Sequence, residues 1–196
     1  MAPGLIAMLL LGQLVVAQAP AGEASMPAPG GCLPDQSGFL SLRLRGSIEA
    51  EIDWRGADLR CTGMARPHGR GLRLRFSGLR PGAGELAIVF AAPGLEMGTS
   101  AHGVPVNVTV LDEAGQHIYG TRGDGRCAFD QVDQQPLTGA SLPPQSFRVS
   151  ARGFCTEPAR AVDGDGAVLL TRFDFAGIVA FGDLDANPTL DGNSLK

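Results

Sequence analysis

The sequence predicts an all-β protein, a single-domain antiparallel β-sandwich of about ten short strands, with a β-barrel as the alternative. Three observations support this fold class. Apolar and charged residues alternate with a period of two through Phe39–Trp54. Glycine and proline, at 28 and 14 residues, are frequent enough to interrupt helices. No stretch shows a 3.6-residue apolar period over three turns, and the hydrophobic content of 44% is enough to build a core.

The chain begins with the features of an export signal. Leu5–Ala17 is an apolar run that is too short to span a bilayer, which needs about 20 such residues, but it suits a signal peptide. We therefore predict no transmembrane span and a mature protein that is periplasmic or secreted. The predicted segments are a signal peptide at 1–17, a flexible Pro/Ala/Gly-rich spacer at 18–37, a β-sandwich domain at 38–182 and a disordered tail at 183–196.

Cysteine usage agrees with export. The chain has four cysteines, Cys32, Cys61, Cys127 and Cys155. Their even number, wide spacing and lack of a C-x-x-C motif favour two disulfides in an oxidising compartment over a zinc site. Short range favours the pairs Cys32–Cys61 and Cys127–Cys155. Each would close a loop of about 30 residues, worth roughly 3.5 kcal/mol in the chain-entropy account, and the other two connectivities stay open.

Phe39–Trp54 predicts the first hairpin. A two-residue turn at Gly46-Ser47 would set Arg45 opposite Ile48 and place a charge beside an apolar side chain. A three-residue loop instead sets Arg45 opposite Glu49 and keeps the apolar residues on one face. A one-residue slip would move that whole face into water, so burial decides the register. We therefore predict an odd loop with a bulge near Gly46.

Further strands follow at short intervals along the chain. Between the last two, Gly177 could mark a bulge. Arg126–Asp130 is predicted as a short strand or a helical turn, and 134–145 as a loop that contains three prolines. The predicted strands are Asp58–Thr62, Leu72–Phe76, Glu85–Ala91, Val104–Leu111, Gln116–Thr121, Phe147–Cys155, Val168–Phe175 and Ile178–Phe181.

The arginines suggest a candidate binding face. Arg43–Arg80 holds nine arginines against four carboxylates, although the whole chain has a net charge of −4. Arg43, Arg45, Arg73 and Arg75 face outward in the predicted strands and form a candidate anion-binding face for an anionic envelope component or a protein partner. The alternative is that these charges simply pair across the sheet. We predict no nucleic-acid partner, because no exposed aromatic residues alternate with these arginines.

Metal and catalytic motifs are weak. Asp163 and Asp165 have the alternate-residue spacing of calcium ligands, as do the acidic residues of 183–187, but the latter depart from the EF-hand pattern. Ser100 and His102 resemble a nucleophile elbow in which His replaces the required glycine. No carboxylate is identified that would orient them. We therefore assign no catalytic residue, no metal site and no cofactor.

These observations predict an exported, disulfide-stabilised β-sandwich protein that acts by binding or as a structural component, without catalysis. Lys196 is the only lysine among 16 basic residues, a bias typical of GC-rich bacterial genomes, so we predict a bacterial envelope protein. One alternative is a secreted hydrolase that uses carboxylates or the Ser100–His102 pair. Another is a calcium-dependent adhesion module. The motifs identify no family.

Overall fold

A computed structural model describes residues 32–66, 71–123 and 125–182. The predicted signal peptide at 1–17, the spacer up to residue 31 and the predicted tail at 183–196 lie outside the described residues. The described chain is all-β and almost entirely antiparallel, which confirms the predicted fold class. Nothing helical within these ranges has the length and apolar character that a membrane crossing requires.

Eleven strands and one turn of 3-10 helix make up the described regular structure. The 3-10 turn, Gly56–Asp58, joins the second and third strands. The strands are β1 (Phe39–Gly46), β2 (Ala50–Arg55), β3 (Arg60–Ala65), β4 (Leu72–Arg80), β5 (Gly84–Ala92), β6 (Ala101–Asp112), β7 (His117–Gly120), β8 (Cys127–Pro136), β9 (Ser146–Cys155), β10 (Ala159–Ala161) and β11 (Ala167–Ala180).

All strands belong to one sheet, in which the two longest strands change neighbours part-way along. The first half of β6 pairs with β8, and its second half pairs with β7 and β5. β11 pairs with β1 over Val168–Ala176 and with β9 over Phe173–Ala180. Its last residue, Ala180, adds a single parallel pair to β3. A strand that changes partners in this way can turn a corner and carry the sheet around a core.

The core is an aromatic cluster enclosed by the sheet. Phe76 of β4 and Phe90 of β5 meet three rings from strands that are not their neighbours. The ring centroids of Phe90 and Phe173 are 4.8 Å apart, and those of Phe76 and Phe175 are 5.0 Å apart. Phe129 of β8 completes the cluster, and all five side chains are at most 1% exposed. Rings this large dominate the burial that stabilises such a fold.

The predicted hairpin register is confirmed. Leu42 pairs with Ile52, and Leu44 pairs with Ala50, which leaves a three-residue connection at 46–48. Gly46 adopts a φ of 108°, a conformation that glycine accepts readily, and Ile48 packs into the core at 4% exposure. Apolar burial therefore fixes the register here, as the alternation indicates.

Several predicted boundaries are wrong. β8 extends ten residues to Pro136, so the proline-rich connection covers only 137–145. The two last predicted strands are a single strand, β11, and its pairing with β9 is unbroken at Gly177. The ring of Phe76 leaves no space there, because a Cβ on Gly177 would lie 3.0 Å from it. The short strand β10 has too few residues to produce a period in the sequence.

Both disulfides are present, and both join the predicted partners. Cys32 is bonded to Cys61 of β3, with 5.1 Å between their Cα atoms. Cys32 and Leu33 are buried, so the packed region includes the end of the segment predicted as spacer. Cys127 and Cys155 lie directly opposite each other on β8 and β9, with Cα atoms 3.9 Å apart. This second bond fixes the end of the β8–β9 hairpin farthest from its connecting loop.

Candidate functional site

A concave surface of about 430 Å³ opens on the outer face of the sheet over β8, β9 and β11. We call it the bulge cleft. Its volume falls within the range of roughly 300–1,000 Å³ that is typical of small-molecule sites. The residues that line it are Asp130, Arg152, Gly153, Phe154, Thr171, Arg172, Phe173 and Asp174.

Two β-bulges lie beside β9 and shape the cleft. In β8, Phe129 pairs with Gly153 and Gln131 with Arg152, so Asp130 is the extra residue. In β11, residues 172 and 170 pair with successive residues of β1, so Thr171 is the extra residue. Both extra residues are exposed. The β8 bulge interrupts the pairing with β9, whereas the β11 bulge interrupts the pairing with β1. Because a bulge bends its strand and re-aims its side chains, the two bulges make this outer face irregular.

Gly153 forms the floor of the cleft. It lies between Phe129 and Phe173 in the strand register and has no side chain to separate their rings, whose centroids are 6.0 Å apart. A Cβ on Gly153 would lie 2.7 Å from the Phe173 ring and 2.0 Å from the carbonyl oxygen of Ala128. The backbone at the cleft floor can therefore approach its neighbours only because residue 153 is glycine.

The charged groups of the cleft are balanced and unpaired. Two arginines, Arg152 and Arg172, face two aspartates, Asp130 and Asp174, and all four are exposed. Asp174 lies directly opposite Arg152 in the register. Even so, none of the four forms an ion pair within 4.0 Å with any described residue. The hydrogen-bonding groups of these side chains therefore have no charged partner among the described residues.

Phe154 supplies the apolar part of the cleft. The chain has nine phenylalanines, one tryptophan and one tyrosine, and all eleven lie within the described residues. Phe154, at 40%, is the only one of these rings that is exposed. A single exposed apolar side chain needs no explanation by itself. This ring, however, lies in a concavity that is otherwise charged.

A second, smaller depression of about 170 Å³ adjoins the cleft over β1 and β2. It shares Thr171, Arg172 and Asp174 with the cleft and adds Arg43 and Glu51, which form an ion pair of 2.9 Å. Arg43 lies directly opposite Arg172 in the register. Like charges in this position destabilise a sheet. The ion pair with Glu51 offsets this repulsion for Arg43, whereas Arg172 has no ion pair among the described residues.

A larger concavity than the bulge cleft lies elsewhere on the described surface. About 640 Å³ lies beside β2, which is at one end of the strand order, and beside the β4–β5 turn. The arginines there are already paired, Arg60 with Glu85 at 2.5 Å and Arg80 with Asp112 at 2.8 Å. The indole nitrogen of Trp54 donates to the carbonyl of Leu79 at 3.2 Å. Because both arginines and the indole N–H of this groove already have partners within the chain, we interpret the groove as structural.

The arginines of the predicted anion-binding face do not form one group. Arg43 and Arg45 lie on β1, whereas Arg73 and Arg75 lie on β4, and β1 and β4 are separated by β11 and β3 in the strand order. Arg45 pairs with Glu49 at 2.6 Å, and Arg75 with Glu113 at 3.0 Å. Of the four, only Arg43 borders the bulge cleft. Sequence reasoning did not include Arg152 and Arg172 in the candidate face, because they meet through the pairing of β9 with β11, which the residue pattern does not indicate.

The Ser100–His102 pair lies at the start of β6, beside the cleft. Both residues are exposed, and His102 Nδ1 lies 3.2 Å from the backbone carbonyl oxygen of Asp130, to which it donates when it carries the proton. His102 thus contacts the bulge residue of β8. This contact helps to position the bulge.

The calcium hypothesis gains no support from the described chain. Asp163 and Asp165 are exposed in the turn between β10 and β11. Among the described residues, no three His, Cys, Asp or Glu side chains come together in a geometry that could hold a metal ion. The second acidic motif, at 183–187, lies outside them.

Gln134 is a further residue that the sequence reasoning placed in a loop. It is buried in β8, at 7% exposure, and its side-chain amide forms hydrogen bonds with the 96–99 segment. Its Nε2 donates to the carbonyls of Glu96 at 2.7 Å and Thr99 at 2.9 Å, while its Oε1 accepts from the Gly98 N–H at 3.1 Å. A buried amide with all these partners holds a connection in place. Nothing in the residue pattern indicates this role.

Comparison with protein-family models, with curated proteins and with solved structures finds no match to this chain.

Proposed function

We propose that this chain is an exported, disulfide-stabilised protein of a bacterial envelope that acts by binding, without catalysis, through the bulge cleft. The observation that carries the proposal is a set of four exposed charged side chains, without an ion pair to any described residue, around a single exposed aromatic ring. Bulges are over-represented next to functional sites, where they re-aim side chains. Two disulfides in a chain of this size fit a non-cytoplasmic compartment.

Binding is tested by co-sedimentation of the full chain with defined envelope materials: peptidoglycan, lipopolysaccharide and phosphatidylglycerol vesicles. We expect at least one material to bind, and the double variant Arg152→Ala/Arg172→Ala to weaken that binding about tenfold or more. Arg60→Ala/Arg75→Ala removes two arginines whose partners lie elsewhere and serves as the control. Absence of binding, or equal binding by both double variants, would refute the cleft as the binding site.

Export is tested separately by expressing the full chain in a bacterial host and measuring its location and intact mass. We expect a periplasmic or secreted product that begins at Gln18 and has four cysteines resistant to alkylation. A full-length cytosolic product with reactive thiols would contradict export and leave the binding proposal untouched.

A further inference from the structure

We infer that the ligand of the bulge cleft is an oligosaccharide, a conclusion that rests on the proposed function and goes further by naming the ligand class. An arginine side chain can only donate hydrogen bonds, and an ionised aspartate can only accept them. Arg152 and Arg172 therefore need acceptors, and Asp130 and Asp174 need donors.

The balance of charges decides between ligand classes. An anion would be attracted by Arg152 and Arg172 but repelled by Asp130 and Asp174. A cation would be attracted by the two aspartates but repelled by the two arginines. A hydroxyl group both donates and accepts, so a polyhydroxylated ligand satisfies all four side chains without a net charge. Thr171 adds a hydroxyl of the same kind to the wall.

The exposed ring of Phe154 adds a second requirement, an apolar surface on the ligand. A phenyl ring that is 40% exposed offers an apolar face that hydroxyl groups cannot satisfy. The ligand therefore needs a flat, CH-rich face as well as hydroxyls around its rim. A sugar ring combines these two surfaces in one rigid unit, and its rigidity keeps the entropic cost of binding small.

A peptide also carries donors and acceptors, but it recognises sheets mainly by adding a strand to a free edge. The cleft lies on a sheet face, and the strand positions there that lack a neighbour are few: on the β9 side of β11 only residues 169–172 have no partner. Four residues are fewer than the five or six of a usual strand, which disfavours addition of a peptide strand. The adjoining depression shares Thr171, Arg172 and Asp174 with the cleft, so linked sugar rings can occupy both.

The experiment uses the full chain on an array of defined neutral oligosaccharides, followed by calorimetric titration with each hit. We expect Phe154→Ala to weaken binding about tenfold and Phe154→Trp to preserve it. Ile118→Ala is the matched control, because Ile118 is 43% exposed on a different part of the sheet. Phe154 is a surface residue, so an unchanged urea midpoint shows that the variant still folds.

The outcomes separate this inference from the proposed function. If Arg152→Ala/Arg172→Ala abolishes binding to phosphatidylglycerol vesicles while no oligosaccharide binds, the cleft is a binding site and the saccharide inference is wrong. If oligosaccharides bind but Phe154→Ala and the arginine variant leave their affinity unchanged, both proposals fail. If a bound oligosaccharide is cleaved and Asp130→Asn stops the cleavage, the ligand class is correct and the absence of catalysis is wrong.

Discussion

The β1–β2 hairpin and the bulge cleft lie side by side on one outer face of the sheet, yet their charges are arranged differently. In the hairpin, Arg43 meets Glu51 at 2.9 Å and Arg45 meets Glu49 at 2.6 Å. In the cleft, Arg152 lies opposite Asp174 in the register, and no ion pair forms within 4.0 Å. The β9–β11 ladder keeps its register at this point, because the two bulges lie in the β8–β9 and β1–β11 ladders, so opposite positions alone do not bring charged side chains together. The cleft therefore differs from the hairpin in that its charged side chains have no ion-pair partner among the described residues.

The largest expected effect comes from the covalent support of the cleft strands. Cys127→Ala/Cys155→Ala removes the bond between β8 and β9, which closes a loop of 28 residues. We expect the free energy of unfolding to fall by about 2–5 kcal/mol, because the unfolded chain gains entropy. Urea denaturation of the oxidised proteins measures this loss. A fall of less than about 1 kcal/mol would show that the β8–β9 ladder alone supports the cleft.

The next effect concerns the cleft floor. Gly153→Ala places a methyl group 2.0 Å from the carbonyl oxygen of Ala128 and against the Phe173 ring. We expect a loss of about 1–3 kcal/mol in urea denaturation, the usual cost of overpacking. Gly120→Ala in β7 is the matched control, because a Cβ there meets nothing within 4 Å. Equal stability of the two variants would mean that the floor relaxes freely and does not require glycine.

The difference in pairing can be measured directly with two double-mutant cycles. Arg43→Ala with Glu51→Ala should give a coupling free energy of about 0.2–1 kcal/mol, the range for exposed pairs. Arg152→Ala with Asp174→Ala should give a coupling close to zero, since no ion pair joins them. A coupling in the cleft as large as that in the hairpin would show that the cleft charges serve stability, and would remove the main support for a binding site there.

The sequence predicts the hairpin well and the cleft poorly, and the reason is physical. The alternation through Phe39–Trp54 fixes which residues are buried, and burial then fixes the register and the ion pairs. The disulfide partners follow from spacing, and both predicted pairs are present. The bulges at Asp130 and Thr171 depend on how β8, β9, β11 and β1 align with one another. Such alignment between distant segments leaves no periodic signal.

The acid response of the hairpin gives the smallest expected effect. The Arg45 guanidinium hydrogen-bonds Glu49 and, together with the Gly46 N–H at 3.3 Å, holds the pKa of Glu49 below its usual value. A carboxyl whose pKa is lowered by folding stabilises the protein above its unfolded pKa, and this contribution is lost as the pH falls through the folded pKa.

Glu49→Gln cannot titrate at this position, so the stability difference between the wild-type protein and this variant should shrink as the pH falls from neutral into the acid range. The same difference at neutral pH should be smaller in concentrated salt, because Glu49 and Arg45 are exposed and their attraction is screened. Urea denaturation of both proteins over a pH series, at low and high salt, measures the two trends.

A difference that stays constant with pH would mean that the Arg45–Glu49 contact does not stabilise the hairpin in solution. The hairpin charges would then be as available to an external ligand as those of the bulge cleft, and the comparison between the two regions would lose its basis.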